Sequence, residues 1–145
     1  MMRKQYENRI NDADIQQFPE RILKEGNSKV SKYVAVVNMP ALYTCPAGAP
    51  CKKQCYAAKS WFLSDDVNRG YWRNFYFYQQ SPDGFFNQLE EELREAQNLR
   101  PYKRFRWHES GDIVNYDYFC HMVDLAKKFK EITFKAYTQQ YDIVN

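Results

Sequence analysis

The sequence predicts an α/β fold built on a mostly parallel sheet. Three observations lead there: short runs rich in β-branched and aromatic residues, long stretches with apolar residues every three or four positions, and strict alternation between the two. Connections of that length suit right-handed crossover helices rather than hairpins. An open sheet and an incomplete, half-built barrel share this alternation, so both closures fit the pattern.

The first 30 residues read as a polar N-terminal extension, with a short helix over 14–24 interrupted by Pro19 and a turn at "EGNSK". Residues 31–145 read as one α/β domain. "KYVAVVN", Lys32 to Asn38, is nearly continuously apolar, as a strand covered on both faces should be. A cysteine-rich loop follows it, "CYAAKSWF" opens a possible helix, and Val67 to Gln80 is dense in aromatic residues. In "SPDGFF", Ser81 can cap a helix, Pro82 fits its first position, and Asp83 suits its positive end. The helix then runs along Phe85, Leu89, Leu93 and Ala96 until "LRP" stops it. "YKRFRWH" gives a second strand and "ESGD" the turn leaving it. A second amphipathic helix follows, with Tyr116, Phe119, Val123 and Ala126 on one face. "EITFKAYT" closes the pattern as a third strand. The tail after it carries no evident closing helix, which puts that strand near an edge or leaves its side to a second copy of the chain.

A chain of 145 residues can bury a core without covalent staples. Aromatic residues make up 17% of it, which supplies large apolar surfaces despite a mean hydropathy of -0.78. No apolar run reaches the roughly 18 residues that span a bilayer, and the N-terminus lacks a secretory pattern, so the expected compartment is the cytoplasm with no membrane partner. The balance of 21 basic and 18 acidic residues permits a nucleic-acid partner without arguing for one.

Ligands of parallel α/β sheets bind beyond the carboxyl ends of the strands. The cysteine loop follows the first strand; His108, Glu109, Ser110 and Asp112 follow the second; Tyr137, Thr138 and Gln139 follow the third. In "TCPAGAPCKKQC" three of the chain's four cysteines, Cys45, Cys51 and Cys55, share one loop shaped by proline and glycine. Clustered thiols in a reducing compartment point to metal or catalysis before disulfides. Three thiolates suit a [4Fe-4S] cluster with one iron left for another ligand. Zinc is the competing reading, although its C-x2-C knuckle is absent and Cys120 or His108 would have to complete the set. Plain reduced thiols are the third. Cys120 lies mid-helix and reads as core, and His121 as surface. His108 can ligate metal, move a proton or bond a substrate, with Asp112 beside it, which makes this pair the catalytic candidates. Arg106, on the side of the strand expected to carry His108, is an anion-binding candidate. "KRFRW" also interleaves basic and aromatic residues as single-strand nucleic-acid binders do. Phosphate-loop, dinucleotide, zinc-protease and nucleophile-elbow motifs are absent.

"TCPAGAPCKKQCYAAK", the pair Arg73 and Asn74, "RWHESGDI" and "FKAYT" together resemble, in order, the hallmark segments of the phage "gene product 88" family over roughly residues 31–138. The resemblance implies a functional centre of Cys45, Cys51, Cys55, His108, Ser110, Gly111 and Asp112. Family members also look like truncated relatives of radical S-adenosylmethionine enzymes, which bind a [4Fe-4S] cluster through a three-cysteine loop after the first strand of a partial barrel. Their usual spacing is C-x3-C-x2-C, whereas here it is C-x5-C-x3-C. On this resemblance, Cys45, Cys51 and Cys55 hold the cluster. If the chain is an enzyme, Arg106, Ser110 and Tyr137 position a small-molecule substrate beside S-adenosylmethionine. The non-enzymatic alternative is a protein binding a host protein or nucleic acid in the host cytoplasm, with either the cluster or zinc.

Overall fold

Four short strands lie side by side in chain order in the computed structural model, which describes residues 13–26, 33–55, 57 and 65–145. They are β1 (Lys24–Glu25), β2 (Val34–Val37), β3 (Arg104–Trp107) and β4 (Thr133–Ala136). β1 runs antiparallel to β2, while β2–β3 and β3–β4 are parallel, with Val37 opposite Trp107 and Trp107 opposite Ala136. The sheet is mostly parallel and open; it does not close into the half barrel that the pattern also allowed.

Among the described residues the helices are α1 (Asp65–Gln80), α2 (Pro82–Leu99), α3 (Tyr116–Lys128) and the short α4 (Tyr141–Val144). Ser81 caps α2 by accepting a hydrogen bond from the Gly84 amide at 3.2 Å, with Pro82 in the first turn, where its missing N–H leaves no bond unmade. Phe85, Leu89, Leu93 and Ala96 are buried on one side of α2, as their spacing predicts. They meet Ala35, Val37, Phe105 and Trp107 from one face of the sheet. A fully buried leucine contributes about 1.5–3 kcal/mol, so this row is a principal anchor of the helix. Val34 and Val36 on the opposite face of β2 are buried too, matching the unbroken apolar run.

Three expectations change. The helix expected over 14–24 reduces to a single 3-10 turn, Ala13–Ile15, followed by extended chain and β1. Beyond Pro19 the backbone finds a different acceptor: the amides of Ile22 and Leu23 both donate to the Glu92 carboxylate of α2 at 3.0 Å. Ile15, Ile22 and Leu23 join the core, so residues 13–26 pack as part of the same layer structure. Glu92→Ala should leave these amides unpaired and lower stability by about 1–3 kcal/mol in denaturant unfolding. On α3 the buried row is Tyr118, Met122 and Leu125, whereas Tyr116 and Val123 are exposed. Two rows with helical spacing competed there, and the one that meets Trp107 and Phe86 is buried. His121, expected at the surface, stacks on Phe86 with ring centroids 4.6 Å apart. β4 is an edge strand as expected, with the short α4 after it. The helix opening at "CYAAKSWF" and the "EGNSK" turn fall largely outside the described residues. Among the described residues no helix is long and apolar enough to cross a membrane.

Candidate functional site

At the carboxyl ends of β2, β3 and β4 the three following loops are tied together by buried polar groups. The Met39 amide donates to the Ser110 carbonyl at 3.0 Å, and the Ser110 hydroxyl donates to the Met39 carbonyl at 2.9 Å. The Ser110 amide donates to Asn38 Oδ1 at 2.9 Å, while the Asn38 carbonyl accepts from Asn74 of α1 at 2.9 Å. Thr44 forms the next link: its hydroxyl donates to the Pro40 carbonyl at 2.8 Å and accepts from the Asp112 amide at 2.9 Å. The Asp112 carboxylate then accepts from the Thr138 hydroxyl, the Gln139 amide and its own neighbour, the Ile113 amide. Gln140 closes the ring through its side-chain amide to the carbonyls of Thr44 and Ile113.

Asn38, Ser110 and Asp112 are all buried, so the bonds from Asn38, Ser110, Thr44 and the Asp112 and Ile113 amides form away from water. Gly111 sits inside this clamp at φ 83, and a Cβ there would stand 2.6 Å from the Met39 carbonyl oxygen. The "SGD" segment thus fastens the cysteine loop to β3 and β4. Thr44, next to the first cysteine, is the attachment point.

The loop leaves β2 through Leu42, which is left-handed at φ 68, and passes the 3-10 turn Pro50–Gln54 between its cysteines. Ala41, Leu42 and Ala57 pack with Tyr71 of α1, and Cys55 and Val67 lie against that cluster. Cys45, Cys51 and Cys55 are free thiols, half-buried, exposed and half-buried respectively. Burial chiefly, with smaller contributions from the charges of Asp112, Cys55 and Cys51, raises the Cys45 thiol to about 11. Among the described residues, however, no group of three or more His, Cys, Asp or Glu side chains is gathered tightly enough to hold a metal ion. The donors on this loop are thiols, ligands of the soft kind.

His108 goes elsewhere. Its φ of 62 turns the ring to the side of Trp107 rather than that of Arg106, contrary to the shared side expected from strand alternation. There its Nε2 lies 2.9 Å from the Tyr118 phenol oxygen, and its Nδ1 is buried without a hydrogen-bond partner among the described residues. Burial alone lowers its pKa to about 3, so the imidazole is neutral at pH 7. The Tyr118 phenol, also buried, is held well above its ordinary value.

Arg106 and Tyr137 meet on the other face, with the guanidinium carbon 5.8 Å from the ring centroid. Lys135 lies 4.8 Å from the same ring and, by its hydrogen bond and charge, lowers the Tyr137 phenol below its usual range. Beside the rim, a cavity of about 730 Å³ is bounded by Val36, Asn38, Glu109 and, from α1, Arg69, Arg73 and Asn74. Cys120 stands half-buried on α3, outside the set of charges acting on Cys45.

The structure thus brings together Ser110, Asp112 and the root of the cysteine loop, pairs Arg106 with Tyr137, and sends His108 into the aromatic core. Sequence reasoning missed Asn38, Thr44, Tyr118 and Gln140. Asn38 and Thr44 carried a faint signal, as polar residues on either side of the short "MPALY" exit from a buried strand.

A family model described as Gene product 88 aligns with residues 8–145. No curated protein and no solved structure matches the chain.

Proposed function

The chain belongs to the Gene product 88 family, and from that premise we propose that it is a metal–thiolate protein whose loop after β2 takes a [4Fe-4S] cluster through Cys45, Cys51 and Cys55. The observation that supports this reading is that three free thiols share one loop clamped to the carboxyl rim of a parallel sheet. Thiolate donors favour iron–sulfur clusters or zinc over harder cations. A zinc knot would need a fourth ligand. His108 is committed to the core beside Tyr118, Cys120 stands on α3, and the Asp112 oxygens already accept three hydrogen bonds, so the iron–sulfur reading is preferred.

When bound, such a cluster supplies one-electron chemistry and an iron without a cysteine ligand, where a small molecule with amino and carboxylate donors, such as S-adenosylmethionine, can attach. Of the chain's own residues, Ser110 and Asp112 are positioning residues that hold the loop root through Met39 and Thr44. His108 is a neutral group packed into the aromatic core beneath the rim.

Anaerobic reconstitution with ferrous iron and sulfide tests this. The wild-type chain should develop a broad absorption band near about 400 nm. Cys45→Ser, Cys51→Ser and Cys55→Ser should each lose it, while Cys120→Ser keeps it. A wild-type chain that takes up no iron, or a Cys51→Ser variant with an undiminished band, would refute the assignment.

A further inference from the structure

β3 and β4 turn Phe105, Trp107 and Phe134 toward the core, where Phe105 and Phe134 stack 4.9 Å apart. Their other face carries Arg104, Arg106, Thr133 and Lys135, and Tyr137 stands at its carboxyl end, 63% exposed. Three features of this face, among the described residues, are unusual for a purely structural sheet surface. Arg106 and Lys135 are directly opposite in register, a like-charge pairing that weakens a sheet. Among the described residues none of Arg104, Arg106 and Lys135 forms an ion pair, and Arg106 Nε is buried without any hydrogen-bond partner. Arg106 and Lys135 both stand over the one exposed ring of Tyr137, 5.8 and 4.8 Å from its centroid. A lysine on β4 can be explained as protection of an edge strand. Arg106 cannot, because β3 is an interior strand.

The geometry points to this basic, tyrosine-capped face of β3 and β4 as a binding surface for single-stranded nucleic acid, with Tyr137 as the stacking platform and Arg104, Arg106 and Lys135 on the phosphates. Alternate residues of a strand project to one face roughly 7 Å apart. Arg104 and Arg106 therefore make a short row able to follow an extended sugar–phosphate chain. The exposed ring favours this occupant over an acidic peptide: a base stacks on an aromatic face between cations, whereas carboxylates gain nothing from it. The surface is independent of any metal on the cysteine loop.

Fluorescence anisotropy of a short labelled oligothymidylate with the full chain provides the test. Binding should weaken between about 50 and 200 mM salt, and Arg104→Gln or Lys135→Gln should each reduce the salt slope by about 0.7. Tyr137→Ala should weaken binding at least about tenfold and Tyr137→Phe should restore it, because stacking needs the ring and not the hydroxyl. Tyr137, Arg104 and Lys135 are exposed, and unchanged thermal melts separate lost binding from lost folding. No binding by wild type, unchanged affinity in Tyr137→Ala, or equally effective competition by polyglutamate would overturn the proposal. The last result would assign the face to an acidic protein partner.

Discussion

Gly111→Ala is expected to destabilise the chain by about 2–5 kcal/mol and to release the cysteine loop from the sheet. Two penalties add. At φ 83 an L-residue is strained, and the new methyl group would meet the Met39 carbonyl oxygen and Thr44 Oγ1, placed 2.6 and 2.7 Å from the Cβ position. Neither atom can retreat freely: the carbonyl accepts from the Ser110 hydroxyl, and Thr44 Oγ1 joins Pro40 to Asp112. Denaturant unfolding should show a lower midpoint with little change in slope. Limited proteolysis should cut earlier within 45–55, since Thr44 anchors that loop. A variant as stable and as resistant as wild type would show that the clamp is not what holds it.

Stability should also fall steeply in mild acid because of His108. Its folded pKa of about 3 lies below the ordinary 6.5, so the unfolded chain binds the extra proton first. The neutral ring's contribution is therefore complete above about pH 6.5 and is lost as pH drops toward 3, by up to about 1.4 kcal/mol per pH unit. The ring's described neighbours Tyr118 and Trp107 offer a phenol and an indole. His108→Asn tolerates the left-handed backbone and does not titrate. It should be less stable at pH 7 and should lose most of the slope between pH 6 and 4. A wild-type melting temperature flat over that range would contradict the neutral, buried imidazole.

The parallel order of the sheet was legible because β2, β3 and β4 each form a short run bounded by polar turns, and because Ser81 and Pro82 mark a helix start without ambiguity. Positions where tertiary contacts outweigh local pattern were not legible. The 14–24 segment shows helical spacing, yet its amides reach Glu92, some 70 residues away, and no local pattern announces that acceptor. On α3 two apolar rows had equal periodicity, and only the packing of Tyr118 against Trp107 decides between them.

The rim was partly readable in the same sense. That loops follow strand ends follows from topology, so Cys45, Ser110, Asp112 and Thr138 fell correctly into one region. The orientation of His108 did not, because a single left-handed residue reverses the alternation that a strand otherwise imposes. Its partner Tyr118 lies on a different element and could be found only through the fold.

Iron, zinc and acid-labile sulfide measured on chain isolated without oxygen, together with the Cys51→Ala variant, test the central claim most directly. About four irons and four sulfides per wild-type chain, absent from the variant, are the predicted result. One zinc per chain, or a metal content that Cys51→Ala leaves unchanged, would contradict a [4Fe-4S] cluster on this loop.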